Sequence, residues 1–226
     1  MAGNLLHAIY PTKIVKHSGF TTTITDSFLF VNAIAVTWDN TDVYMGNLTS
    51  FKKGTGFGSA VQSSFAVPGG SNPYGMDWTG TDLLGAFNVT KRYKFSGFSS
   101  TVSDSFTGAA ACRGVAWDGT NLLDAEPTPK IYKRSGFSAT VSDSFTANAV
   151  NRDITWDGTD LYGASDLLSV KKYSGFSSTV SSSITVSGTE GGIDWDDFPA
   201  PAAAAIAPIS IRTPGGGVAT GGSLMF

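Results

Sequence analysis

The sequence predicts an all-β chain: a five-bladed β-propeller of four-stranded blades, its ring closed by N-terminal strands pairing with the last strand, followed by an extended C-terminal tail. Three observations predict it. Five tryptophans, Trp38, Trp78, Trp117, Trp156 and Trp195, stand 40, 39, 39 and 39 residues apart, and a fixed period of that length marks one supersecondary unit repeated side by side. Each period breaks into four short apolar runs with β-branched and aromatic content, separated by turn dipeptides such as Asp-Gly and Ser-Gly. The two ends of the repeat region are, finally, complementary fragments of one unit.

The fourth copy shows the unit in order. Its first strand, Asp153-Ile154-Thr155-Trp156, sets Ile154 and Trp156 on one face because strand side chains alternate. Val36 with Trp38, Met76 with Trp78, Val115 with Trp117, and Ile193 with Trp195 repeat that pair. A turn at Asp157-Gly158-Thr159 leads to the second strand around Leu161–Ala164, and the third is Val170-Lys171-Lys172-Tyr173. A Gly-Phe corner follows at Gly175-Phe176, matching Gly19-Phe20, Gly56-Phe57, Gly97-Phe98 and Gly136-Phe137. Nine residues after each glycine stands Phe28, Phe65, Phe106, Phe145 or Ile184, one large apolar side chain per fourth strand. Radial packing of such units buries the faces between neighbours and leaves only short, protected edges.

The chain ends favour a closed ring over an open solenoid. The fifth copy stops at Trp195-Asp196-Asp197-Phe198 after its first strand, and Asn4-Leu5-Leu6-His7-Ala8 matches the second-strand segment Asn121-Leu122-Leu123-Asp124-Ala125. Residues 191 to 197 are therefore expected to pair with the strands of residues 4 to 30 and complete one blade. A solenoid would need polar capping units, and none is read in the sequence.

Composition bounds the function. With 41% hydrophobic and only 15% charged residues, residues 1–198 suffice for one compact propeller domain. A net charge of −3 argues against a nucleic-acid partner, which needs a basic footprint. The single cysteine, Cys112, precludes an internal disulfide; no apolar run is long enough to span a bilayer, and no secretory leader is read at the start.

Composition shifts at Pro199, and residues 199–226 form a Pro/Ala/Gly-rich tail. Such content suits a disordered segment. Its isolated apolar residues suit an anchor instead: Ile206, Ile209 and Ile211 for a partner's sheet edge, and Leu224, Met225 and Phe226 as a terminal plug.

Candidate ligand residues lie where blades differ. Loops from the fourth strand to the next first strand share a face with the loops between strands two and three, and the former vary most between copies. There, Ile34, Tyr74, Arg113 and Arg152 occupy one repeat position, four before the tryptophan, and Asn151 and Glu190 lie beside it. Two guanidinium forks and a phenol ring from neighbouring blades could grip a sugar or an anion; packing of the arginine stems is the structural alternative. Twelve of the fifteen Lys and Arg residues fall in third strands, expected as a solvated face that protects the sheet from edge pairing, or as a contact for an acidic partner.

Asp39, Asp118, Asp157 and Asp196, each following a tryptophan, read as turn residues. Asp77 and Asp194, one before a tryptophan, and Asp153, three before it, depart from the repeat, and carboxylates around a propeller axis could form the acid and base of a glycosidase. No long insertion builds a substrate cleft, so no catalytic residue is assigned. His7 and His17 lie in different strands without metal-ligand spacing, and no metal or cofactor is expected.

The segments Lys133-Arg134-Ser135-Gly136-Phe137 to Phe145 and Ile154-Thr155-Trp156-Asp157-Gly158-Thr159-Asp160-Leu161-Tyr162 resemble the degenerate propeller repeats of structural proteins of tailed bacteriophages. The likeness covers residues 4–198 and not the tail. It implies a non-enzymatic virion component assembled in the host cytoplasm: a head decoration, tail fibre or tail-associated adhesin, pinned by its tail to other capsid or tail proteins and exposing a loop face to a host-surface glycan. A lectin-like propeller and a propeller glycosidase are the alternatives.

Overall fold

The computed structural model describes residues 3–68, 72–87, 89–166, 168–186 and 189–196, the side chains of Thr189 and Glu190 excepted. These residues contain twenty strands in five antiparallel four-stranded sheets arranged as blades of a ring. Blade 1 contains β1 (Leu5–Tyr10), β2 (Lys13–His17) and β3 (Ile24–Leu29), completed by β20 (Thr189–Trp195). Blade 2 is β4 (Ala35–Trp38), β5 (Val43–Gly46), β6 (Ser50–Gly54) and β7 (Val61–Ala66). Blade 3 is β8 (Pro73–Trp78), β9 (Leu83–Phe87), β10 (Lys91–Phe95) and β11 (Val102–Thr107). Blade 4 is β12 (Gly114–Trp117), β13 (Leu122–Ala125), β14 (Lys130–Arg134) and β15 (Val141–Thr146). Blade 5 is β16 (Asn151–Trp156), β17 (Leu161–Ser165), β18 (Ser169–Tyr173) and β19 (Val180–Thr185).

Closure follows the expected route. Strand β20 pairs antiparallel with β1, Leu5 opposite Trp195 and Ile9 opposite Glu190, in the sheet order β20-β1-β2-β3. Asn4 secures the junction: its backbone N–H and side-chain amide donate to Asp196 at 2.5 and 3.1 Å. The tail residues 199–226, including Ile206, Ile209, Ile211, Leu224, Met225 and Phe226, lie outside the described residues.

Both register marks act at blade interfaces. The fourth-strand phenylalanine of one blade meets the Gly-Phe corner of the next edge-to-face: Phe28 on Phe57 at 5.0 Å, Phe65 on Phe98 at 4.9 Å, Phe106 on Phe137 at 5.1 Å and Phe145 on Phe176 at 5.0 Å. Where Ile184 replaces the phenylalanine, Phe20 packs with it and sets its edge on Tyr162 at 5.1 Å. Each such aromatic pair adds about 0.5–1.5 kcal/mol beyond area burial. One tryptophan joins each interface core, as Trp38 does with Leu6, Ile14 and Val36 between blades 1 and 2.

The corner glycines are needed for their backbone. Gly19, Gly56, Gly97, Gly136 and Gly175 have φ between +56° and +61°, a region costly for residues with a Cβ. Each glycine N–H donates to the residue that opens its own blade's second strand: Asn4, Asp42, Asp82, Asn121 and Asp160, at 2.8–3.2 Å. The aspartates after the tryptophans are turn residues as expected, Asp157 accepting from the backbone N–H groups of Thr159 and Asp160 at 2.8 and 2.7 Å. In blade 3 Thr79 substitutes, its hydroxyl accepting from Asp82 N–H at 3.0 Å.

The basic third strands are less solvated than the sequence implies. Lys16, Lys53, Lys94, Lys133 and Lys172 each pair with a carboxylate of their own blade's turn at 2.5–3.2 Å. Arg92 and Arg134 are buried outright, sharing the fully buried Asp124 as their counter-ion. Diagonal strand positions nine or ten residues apart explain the burial of Arg134. In each blade one second-strand and one third-strand side chain meet on the same face, as Asp124 with Arg134, Met45 with Gly54, Gly85 with Phe95, Gly163 with Tyr173, and His7 with His17. A large side chain opposes a glycine, or two side chains of matched chemistry oppose each other.

Candidate functional site

Two cavities lie on opposite faces of the ring. The first, about 160 Å³, opens on the loop face and is lined by Tyr10, Ile34, Leu48, Asn72, Tyr74, Arg152 and Gly191. Loops of both expected kinds build it. Tyr74 of blade 3 and Arg152 of blade 5 thus line one cavity. Arg113 is close by but committed: it donates to Asp166 at 3.2 Å, and Arg152 Nε donates to the other oxygen of the same carboxylate at 2.5 Å. The pair of free guanidinium forks read from the sequence is therefore a bridged Arg–Asp–Arg triad, which presents one net positive charge in place of two. Asn151 is buried at 1% exposure and its amide donates to Ala149 O at 3.2 Å, which turns it into the blade and away from the cavity. Glu190 pairs through its backbone in β20, and its side chain lies outside the described residues.

Tyr10, Leu48 and Asp166 escaped the sequence reading. Tyr10 ends β1, and Leu48 and Asp166 follow β5 and β17, so all three stand where a second strand turns into a third; Tyr10 and Leu48 line the cavity, and Asp166 bridges the two arginines. The acid itself was the available signal, since the aligned positions of the other blades hold Tyr10, Leu48, Asn88 and Pro127.

The axis gathers the three aspartates that depart from the repeat. Residues three before each tryptophan are Ala35, Gly75, Gly114, Asp153 and Gly192. Four small residues leave room for one side chain, and Asp153 fills it: a Cβ on Gly114 or Gly192 would come within 2.7 or 2.8 Å of its carboxylate oxygens. The Asp153 carboxylate accepts from Ile154 N–H at 2.9 Å and, across the blade boundary, from Ile193 N–H at 3.0 Å. Burial pushes its pKa well up, and the charges of Asp194 and Asp77 add to this.

One layer further along the axis stand Thr37, Asp77, Ala116, Thr155 and Asp194. Asp77 accepts from Trp78 N–H at 2.8 Å and Trp117 N–H at 2.5 Å, so it too stitches neighbouring inner strands. Thr37 reaches both Asp77 at 3.5 Å and Asp194 at 3.3 Å, and Thr155 donates to Asp194 at 3.1 Å. One hydroxyl proton cannot satisfy both carboxylates. Burial raises the pKa of each, mutual repulsion raises that of Asp194 further, and the pair loses its protons in two steps.

Asp77 and Asp194 of this layer line the second cavity, about 60 Å³, together with the five repeat tryptophans, Asp39, Asn40 and Gly80. The opening is on the face of the hairpins between first and second strands. Two of the indoles are fixed from behind. Trp78 stacks on Tyr44 at 5.0 Å and Trp195 on Tyr162 at 4.7 Å, and the two phenols donate to Asp39 and Asp157 at 2.5 and 2.7 Å. Among the described residues no group of three or more His, Cys, Asp and Glu is placed to hold a metal ion, and no helix is long and apolar enough to cross a membrane.

These features define a class: an all-β propeller of five four-stranded antiparallel blades, closed by its own termini, with one cavity on each face. Solved structures share the fold. Glutaminyl cyclase from Myxococcus xanthus is similar with TM-score 0.60 at 10% identity, over 69% of this chain and 71% of that one. A protein of unknown function from Bacteroides caccae is similar with TM-score 0.55 at 13% identity, over 82% and 73%. A chain of the mitotic checkpoint complex is similar with TM-score 0.51 at 13% identity, over 79% of this chain and 60% of that one. At such identities the likeness concerns the fold alone. No family model matches the sequence, and no curated protein matches it.

Proposed function

We propose that the chain is a non-enzymatic structural protein of a phage particle, a propeller that binds host-surface glycan through its loop-face cavity and is pinned to capsid or tail proteins by residues 199–226. The observation that carries the binding half is the meeting of Tyr10, Tyr74 and Arg152 in one cavity with Ile34 and Leu48. Aromatic faces with one directional donor suit the apolar face and hydroxyls of a sugar ring. The Asp166 bridge holds Arg152 in place, which lowers the ordering cost of binding. The particle half rests on the resemblance of the repeats to those of tailed-phage structural proteins and on the apolar residues of the tail.

Two measurements test the reading. On a glycan array the full-length chain is expected to bind, and Tyr74→Ala or Arg152→Ala to weaken binding about ten-fold or more, the loss of a stacking or charge-assisted contact. In co-sedimentation with phage particles, the full-length chain is expected in the pellet and a chain ending at Phe198 in the supernatant. Glycan binding without particle binding would replace the virion reading with a free lectin. Particle binding unaffected by truncation would remove the tail from the account.

A further inference from the structure

We propose that the outer edge of blade 1 is a docking site for a segment of the chain's own tail, residues 208–212, which adds there as a further strand running in the direction of β3. The inference draws on the ring and the tail sequence and does not rest on the glycan or the particle reading.

The edge is the first argument. Strand β3 is the last in the sheet order β20-β1-β2-β3, and at its end stand Leu29 and Val31, exposed to 77% and 73%, the most exposed large apolar side chains among the described residues. Their backbone is open as well. Phe30 and Asn32 donate inward to Thr12 O and Pro11 O at 2.9 and 2.7 Å, so the alternating backbone groups of Leu29 and Val31 point away from the blade. An edge both apolar and unpaired is a template for another strand. The repeat does not demand it. At the position of Leu29 the other blades carry Ala66, Thr107, Thr146 and Thr185, and at that of Val31 they carry Pro68, Ala109, Asn148 and Ser187.

Reach is the second argument. Blade 1 is the blade that the tail leaves, since β20 completes it and ends at Trp195. Trp195 stands opposite Leu5, whereas Ile9, Lys13 and Leu29 stand in line at the other end of the sheet. From Asp196 the edge is about 15 Å away across three strand spacings, and Leu29 lies about 20 Å further along it. Residues 197–208 reach about 40 Å when extended.

Pattern is the third argument. Ile209 and Ile211 stand two apart, as Leu29 and Val31 do, so a strand that sets one pair beside the other packs all four on one face. In that register Pro208 O accepts from Leu29 N–H, and Ser210 N–H donates to Leu29 O while its carbonyl accepts from Val31 N–H. Pro208, which has no N–H, then opens the strand, a position where proline is tolerated. The tether holds the segment at an effective concentration on the order of 1 mM, which a second copy in dilute solution does not match. Leu224, Met225 and Phe226 are left for contacts elsewhere.

The test uses the full chain and reads amide hydrogen exchange by NMR at Leu29 and Val31, with Thr146 on the corresponding edge of blade 4 as control. The Leu29 and Val31 amides are expected to exchange about ten-fold or more slowly than in an Ile209→Ser, Ile211→Ser chain, and Thr146 to exchange alike in both. The two substitutions lie outside the ring and leave its packing intact. A second chain carries Leu29→Cys and Ile209→Cys; with Cys112 buried, mild oxidation should join the two new thiols within one molecule. Leu29 and Val31 amides as fast as Thr146, or slow ones indifferent to the isoleucine substitutions, would overturn the proposal. Protection that falls on dilution, or a disulfide formed only between molecules, would overturn it in favour of a second copy.

Discussion

Acidification should loosen the ring at its closure blade. His7 and His17 lie on adjacent strands with ring centroids 6.1 Å apart, exposed to 0% and 3%, and none of their four ring nitrogens has a partner among the described residues. Burial, with the nearby His17 ring adding to it, lowers the His7 pKa from 6.5 to about 3; burial lowers that of His17 as well, against the Thr21 backbone nearby, which raises it without reaching hydrogen-bond geometry. The folded chain therefore keeps His7 neutral where the unfolded chain takes up a proton. Stability from this group is complete above 6.5 and falls as pH drops toward 3, at about 1.4 kcal/mol per pH unit. Between pH 6.5 and roughly pH 5 the loss from His7 alone is about 2 kcal/mol. The axial carboxylates act in the opposite sense: their raised pKa values make the folded chain bind protons first, so they gain stability as pH falls. The wild-type profile is a sum of both, and a variant separates them. His7→Met, which places there the side chain that Met45 supplies in blade 2, is close in volume and has no nitrogen to protonate. Urea unfolding followed by tryptophan fluorescence should show the variant gaining about 2 kcal/mol on wild type between neutral pH and roughly pH 5. Parallel losses in the two chains would refute the assignment of the titration to the buried histidine.

Two further substitutions probe burial of charge and close packing. Asp124→Asn should cost about 3–5 kcal/mol by chemical denaturation, because Arg92 and Arg134, both buried, share that carboxylate and would be left undercompensated; a loss under about 1 kcal/mol would mean that water reaches the cluster. Gly114→Ala would set a Cβ 2.5 Å from the Asp153 Cα and 2.7 Å from Ile154 N, backbone atoms with little room to yield, and should cost about 1–3 kcal/mol, read as a lowered Tm in calorimetry.

What was legible in the sequence is what the repeat enforces. The tryptophan, the Gly-Phe corner and the fourth-strand phenylalanine recur because every blade interface needs the same contact, and their spacing alone orders the strands. Closure was legible for the same reason: Asn4 performs for Gly19 the service that Asp160 performs for Gly175. The axial aspartates were legible as departures from the repeat gathered around the axis, but their partners were not. Asp77, Asp153 and Asp194 sit in three blades and at two repeat positions, so nothing in the linear pattern shows which neighbouring N–H groups and hydroxyls each one holds. Only the ring brings side chains at the positions one and three before the tryptophan toward a common line. The His7–His17 pair was hidden by a subtler rule. His7 stands opposite Val15, so His17 is its diagonal neighbour, and that becomes visible only when blades are laid over one another: Asp124 with Arg134 then marks the positions that the two histidines occupy.

Symmetry also limits where function can reside in such a ring. At a position that faces the axis, five copies of a large side chain would collide, so a repeat must keep most of them small and can admit few departures. The layer of Asp153 admits one, between Gly75, Gly114, Gly192 and Ala35, and that one side chain occupies the axis. The next layer is wider, admitting Asp77 and Asp194 with the threonines between them, and the five tryptophans contribute to the cavity beyond it. The axis thus widens from a sealed waist toward the hairpin face. The loop-face cavity lies on the other side of that waist and draws its side chains from connections that sheet geometry leaves free to vary. One face owes its chemistry to what the repeat imposes five times over, the other to what the repeat leaves unspecified.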